Sequence, residues 1–142
     1  MGEPQKQLLF AQCKAYYPLE NLIKQCEKLI HEHTATCSHI YISAPYLAVE
    51  PISKKFNSTN ITIGAEKMLP VDDHAFTVTI AEKMLLQLDA KFVLIGTTEE
   101  RQLCQSKNYS LKSRLKSALK MGITPFICIS ETWQEHEDGL SN

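Results

Sequence analysis

The side chains that could do chemistry are few, and their spacing sorts them. His31-x-His33 followed by Cys37-x-His39 offers imidazoles and a thiolate of the types that suit zinc. The spacing matches no standard finger, and His31 and His33 stand where the helix-favouring sequence runs out, a place cations occupy for the dipole alone. No metal is expected. Five cysteines, at positions 13, 26, 37, 104 and 128, include no C-x-x-C pair and read as free thiols serving as small buried hydrophobes. Behind short apolar runs lie Lys14, Thr97 and Glu99. An ammonium at such a place can hold an anion, a hydroxyl can donate one hydrogen bond, and a carboxylate can cap, pair or move a proton. Taken alone, Lys14 is equally compatible with a solvated lysine after an edge strand, and Glu99 with a buried ion pair or cap. A nucleotide site would need a glycine-rich turn after the first strand. Cys13-Lys14-Ala15-Tyr16-Tyr17-Pro18 has no glycine, so no nucleotide and no other cofactor is expected.

The elements that must position these groups are legible from the apolar pattern. Five short β-rich runs recur at Leu8 to Cys13, His39 to Ala44, Ile61 to Ala65, Phe92 to Gly96 and Pro125 to Ser130, each read as apolar on both alternations, as strands covered on two faces are. Between them run helical stripes. Leu19, Leu22, Ile23, Cys26, Leu29 and Ile30 form one behind Pro18, a residue suited to a helix's first turn. Ile80, Met84, Leu85 and Leu88 form another, and Leu111, Leu115, Ala118 and Leu119 a third with Gly122 beyond it as a C-terminal glycine. Ala48 to Phe56 is a weaker, shorter helix. Strand and helix alternate, which dictates parallel strands with right-handed crossovers. Periodicity leaves a doubly wound sheet and an arc of a β/α barrel both open. Gly64 and Gly96 fall near the C-terminal ends of strands, where barrel enzymes mount their chemistry.

Composition bounds the rest. The chain has 142 residues, 44% hydrophobic, with 15 basic against 16 acidic side chains and a formal charge of −1. That is one domain, long enough to bury a sizeable core without disulfide staples. Scattered lysines on a near-neutral chain argue against nucleic acid as a partner. The start, MGEPQKQ, lacks the basic-then-apolar order of a secretory signal, and no apolar run reaches membrane-spanning length. A cytoplasmic protein with no membrane partner is expected. Lys6 stands where a myristoylation pattern asks for Ser or Thr, so lipidation is not expected.

Particular residues then carry a likeness to a known family. Phe92-Val93-Leu94-Ile95-Gly96-Thr97-Thr98-Glu99-Glu100-Arg101 resembles the fourth strand and loop of triosephosphate isomerase, I-G-H-S-E-R-R. Pro125-Phe126-Ile127-Cys128-Ile129-Ser130-Glu131-Thr132 resembles the fifth, P-x-x-C-x-G-E-T, with Glu135, Glu137 and Gly139 continuing it. Ile63-Gly64-Ala65-Glu66 resembles V-G-A-Q of the third strand, Ala75-Phe76-Thr77 the A-F-T of the loop after it, and Ala11-Gln12-Cys13-Lys14 stands in for A-N-W-K. These motifs follow in family order from about Leu8 to Gly139.

The resemblance implies a barrel of eight βα units that interconverts dihydroxyacetone phosphate and glyceraldehyde 3-phosphate in glycolysis and gluconeogenesis. Removing a proton beside a carbonyl makes an enediolate, which needs a base at carbon and donors at oxygen. By resemblance, Lys14 and Gln12 take substrate-binding positions, Thr97 stands at the catalytic histidine, and Glu99 is retained among the catalytic positions. A threonine hydroxyl donates a hydrogen bond but does not shuttle a proton near neutral pH. Loss of one such group typically costs about a hundred- to ten-thousandfold in rate. Glu66 replaces a glutamine, and with Glu99 it should make the mouth less welcoming to a phosphate dianion. The family's catalytic glutamate, its lid and its phosphate loops belong to later strands, beyond this chain. Phe76 and Thr77 would lie in the loop that plugs into a second subunit, where His74 and Val78 replace glycines, and a family Glu–Arg pair nearby is here Thr79 and Glu100. Glu131 is read as a structural carboxylate that orients cations.

The expected molecule is thus an α/β partial TIM-type (β/α) barrel of about five parallel strands with outer helices, not closed. Its two outer strands are unpaired, so it should flatten or associate with itself or a partner, the more so because helices on one face only would leave the inner apolar face bare. The expected function is that of a truncated family member with little or no isomerase activity by itself, triose phosphate being its ligand if active. The alternative is a non-catalytic interaction or regulatory module pairing with a full-length relative or a separate second half.

Overall fold

The structure, a computed structural model, describes residues 7–56, 60–68, 82–103, 111–131 and 133–139. Its strands are β1 (Gln7–Gln12), β2 (Cys37–Ala44), β3 (Ile61–Ala65), β4 (Phe92–Ile95) and β5 (Thr124–Ile127). The helices are α1 (Leu19–His33), α2 (Tyr46–Lys55), α3 (Glu82–Gln87), α4 (Thr98–Leu103), α5 (Leu111–Lys120) and α6 (Trp133–Glu137). The strands form one sheet in chain order, every neighbouring pair parallel. Sequential order with helical crossovers is the wiring of a barrel wall; a doubly wound sheet reverses direction partway.

Local chemistry explains the element ends. Pro18 lies one residue ahead of α1, at its cap, and its carbonyl receives the N–H groups of Asn21 and Leu22. At the far end of α5, Gly122 adopts φ +73° while its N–H reaches Leu119 O and that of Ile123 reaches Ala118 O, the glycine stop expected there. Pro51 inside α2 weakens that helix's signal, and burial of Ala48, Val49 and Ile52 holds it regardless. Two helices escape the apolar pattern. In α4 the stretch TEERQL carries no amphipathic stripe, and α6 has no buried residue.

One face of the sheet holds the core. Ile40, Ile42 and Ala44 of β2, Ile63 and Ala65 of β3, and Val93 and Ile95 of β4 join Leu22, Val49, Ile52, Leu85 and Ala118 of the helices in a single buried cluster. The other face corrects the expectation of a bare apolar surface, since the inward alternation of β2 is His39, Tyr41 and Ser43. His39 Nε2 and Thr62 Oγ1 are hydrogen-bonded at 2.7 Å. Beside them the rings of Phe10, Tyr41, Phe92 and Phe126 cluster, with Phe92 and Phe126 stacked at 4.4 Å between centroids. Phe10 and Phe126 belong to the two outermost strands, and their centroids lie 5.9 Å apart. Five flat strands would hold those two roughly 19 Å apart. The sheet is therefore curled into a half-barrel rather than flattened, and the aromatic cluster fills its concave side. The expected open edges are present: Leu8 on β1 is 69% exposed, and Ile127 and Ile129, in and just beyond β5, are 58% and 92% exposed.

Candidate functional site

Three loops at the carboxyl ends of β1, β3 and β4 enclose a cavity of about 190 Å³ lined by Gln12, Lys14, Ala15, Glu66, Lys67, Thr97 and Glu99. Parallel strands in register deliver these residues to one rim. Pairing continues past β1, where Cys13 N–H donates to Ser43 O at 2.8 Å and leaves Lys14 next at the mouth. Past β3, Glu66 N–H reaches back to Ala44 O at 3.3 Å. The sequence-derived site residues Gln12, Lys14, Thr97 and Glu99 are thus brought together. Phe76 and Thr77, with His74, Val78 and Thr79, lie outside the described residues.

Two lysines face two carboxylates across the mouth. Gln12 Nε2 donates to Glu66 Oε1 at 3.4 Å, and Lys67 Nζ stands 3.9 Å from Glu99 Oε2. Burial pushes the Glu66 carboxyl above the ordinary range, with Glu99 adding to the rise against the amide of Gln12 and the charges of Lys67 and Lys14. A carboxyl that holds its proton more tightly folded than unfolded favours the fold at low pH, and that advantage is lost as pH climbs through the raised value. Glu66→Gln is therefore expected to raise Tm at pH 7, and the gain should shrink toward nothing below the ordinary glutamate range. Melting curves from pH 3.5 to 7.5 check this; an undiminished gain at acid pH would contradict it.

Thr97 has a structural task that its position alone did not disclose. Its hydroxyl oxygen accepts the N–H of Glu100 at 3.3 Å, and its carbonyl accepts that of Arg101 at 2.9 Å, so it caps the start of α4. The signal was present as T-x-x-E at Thr97 and Glu100, a pattern that closes helix starts. Here the glutamate reaches one residue further back. Glu100 Oε2 accepts the N–H of Gly96 at 2.7 Å, and its other oxygen pairs with Arg114 Nη1 of α5 at 2.7 Å, with both side chains about 95% buried or more. Glu100, expected only as a lost interface partner, thus holds an ion pair inside the chain. Arg101 adds Nε to Gly96 O at 2.9 Å and Nη2 to Cys128 O at 2.7 Å, tying the end of β4 to that of β5. Gly96 itself turns at φ +82°, a conformation that glycine adopts without cost.

Elsewhere, Glu131 pairs with His136 Nδ1 at 2.8 Å. Among the described residues no group of three or more His, Cys, Asp and Glu side chains could hold a metal ion. None of their helices is long and apolar enough to cross a membrane. Chemically the mouth can hold a small polar or anionic molecule between Lys14 and Lys67, and a raised carboxyl stands beside it. No imidazole lines it among the described residues.

Comparison with known proteins follows the same outline. The family model described as triosephosphate isomerase matches residues 7–142. The triosephosphate isomerase of Protochlamydia amoebophila is 35% identical over 100 residues, covering 70% of this chain and 38% of that protein. That of Clostridium novyi is 33% identical over 126 residues, covering 85% and 50%. A crystal structure of triosephosphate isomerase from Bartonella henselae superposes with a TM-score of 0.77 at 20% identity, covering 94% of this chain and 56% of that one. The chain spans about half or less of the length of these curated relatives.

Proposed function

The chain belongs to the triosephosphate isomerase family, and from that premise we propose that these 142 residues, by themselves, interconvert dihydroxyacetone phosphate and glyceraldehyde 3-phosphate little or not at all. One observation carries this: the hydroxyl oxygen of Thr97, the residue that by resemblance stands at the family's histidine position, is engaged in capping α4. The reaction needs a donor that polarises the carbonyl and passes protons between neighbouring oxygens. Threonine supplies at most the first function. Lys14 and Gln12 are the substrate-contacting residues in this reading, with Thr97 and Glu99 at the catalytic positions. Glu66 and Glu99 weaken the hold on a phosphate dianion that Lys14 and Lys67 would otherwise give. The cytoplasm, where sugar phosphates are handled, is the proposed place of action.

A coupled assay of glyceraldehyde 3-phosphate consumption by the purified chain tests the proposal. Turnover indistinguishable from a Lys14→Ala variant is expected; turnover a hundredfold above that variant would overturn it.

The exposed edges support a second reading, a module whose half-barrel docks on a second copy, a full-length relative or a separate second half. Leu8 on β1 and Ile129 just beyond β5 are exposed beside the two outer strands of the sheet, and unpaired strands invite pairing. Sedimentation velocity at rising concentration should show association that Leu8→Lys and Ile129→Lys together abolish. A monomer at all concentrations, alone and with a full-length relative, would refute that reading.

A further inference from the structure

We propose that Cys13 and Cys26 are a modification site, joined by hydrogen peroxide into an intramolecular disulfide that ties the end of the first strand to the first helix directly behind Lys14. The two sulfurs lie 3.8 Å apart, and both side chains are buried, Cys13 at 9% and Cys26 at 3% exposure. A disulfide of about 2.05 Å requires an approach of roughly 1.8 Å, within reach of side-chain rotation and small shifts of the loop between residues 13 and 19. Contact also divides the labour. The hydrogen bond from Cys26 holds the Cys13 thiol below its ordinary range, and the same contact, with burial, pushes Cys26 up. Cys13 is thereby the sulfur that ionises and attacks, and Cys26 the one that resolves. Nine-tenths burial favours a small oxidant over a bulky disulfide such as oxidised glutathione.

The step balances. The Cys13 thiolate attacks one peroxide oxygen, the O–O bond breaks, and the departing hydroxide takes a proton to leave as water. Cys26 sulfur then attacks the sulfur of the resulting sulfenic acid, whose hydroxyl leaves as a second water with the Cys26 proton. Two thiols are oxidised, one peroxide is reduced, and no other reactant is needed. The closed loop contains Lys14, so the bond restrains the segment that presents this lysine to the cavity. It also restrains the unfolded chain, for which a rise in Tm of roughly 6–12 °C is expected.

The full chain, reduced and then exposed to dilute peroxide, is alkylated under denaturing conditions, digested with trypsin and mapped by mass spectrometry. The expected product is lighter by two hydrogens, blocked at two cysteines, and yields a linkage between the peptide ending at Lys14 and that ending at Lys28. Cys13→Ala and Cys26→Ala should each remove this linkage, whereas Cys128→Ala should keep it. If an alanine variant fails to fold, the peptide map of the unmutated chain decides by itself whether the link forms. Full alkylation of all cysteines after treatment, sulfinic acid at Cys13 without a link, or a link through any other cysteine would overturn the proposal.

Discussion

Replacing Arg114 with methionine is expected to lower folding stability by about 3–5 kcal/mol. The guanidinium and the Glu100 carboxylate meet at 2.7 Å with almost no exposure to water. Removing the cation leaves a carboxylate whose solvent has already been stripped away. Glu100 cannot turn outward to recover hydration, because its other oxygen holds the N–H of Gly96. A loss of this size is a large share of the 5–15 kcal/mol that ordinarily separates folded from unfolded protein. Urea unfolding measures it directly. The double variant Glu100→Gln with Arg114→Met should recover much of the deficit, since a neutral amide carries no charge to bury and its carbonyl can still accept from Gly96. A loss below about 1 kcal/mol in the single variant would show that water reaches the pair. The pair also bears on the rim of the cavity, because Glu100 fixes the Ile95–Gly96 peptide, one residue ahead of Thr97.

Gly64→Ala is expected to cost about 3 kcal/mol. A Cβ at Gly64 would lie 2.5 Å from Cδ1 and Cγ of Phe92 and 2.5 Å from the Phe92 carbonyl oxygen. The ring could move, but the carbonyl belongs to the adjoining strand, where Gly64 and Phe92 are paired. In a Phe92→Leu background the penalty of Gly64→Ala should therefore shrink without vanishing. Thermal unfolding of the four proteins completes the cycle. Full disappearance of the penalty would place the conflict in the ring alone. Gly64 looked in the sequence like a rim glycine near chemistry; in the fold it is the position that allows β3 and β4 to meet closely while the Phe92 ring lies across the concave face.

These two positions show how far the sequence could be read. The strands and principal helices were legible because each buried element repeats its apolar residues at its own period, as Leu19 to Ile30 and Ile61 to Ala65 do. The half-barrel arrangement came from ordered motifs, since periodicity alone is satisfied by two architectures. What escaped was decided by polar pairing between distant segments. Nothing local in the sequence pairs Glu100 with Arg114, and the adjoining Arg101 suggests a different partner. The polar and aromatic inner face escaped for a related reason. Curling brings Phe10 and Phe126 together although 116 residues of sequence numbering separate them. Of the site, Gln12, Lys14, Thr97 and Glu99 were legible from motif position, whereas the capping role of Thr97 needed the backbone of α4. The closeness of Cys13 and Cys26 also had no sequence signal, because their spacing matches no redox motif.

In the proposed reading, Lys14 meets substrate at the mouth of a half-barrel while Thr97, its hydroxyl oxygen engaged at the start of α4, moves no proton. Exchange of the C1 hydrogen of dihydroxyacetone phosphate with solvent deuterium, followed by proton NMR, tests this reading most directly, because it reports proton removal even when no product is released. The protein is best produced in a host lacking its own isomerase and compared with Lys14→Ala and with buffer. Exchange at the buffer rate in both proteins is the predicted result. Exchange by the unmutated chain far above buffer, abolished by Lys14→Ala, would contradict the reading.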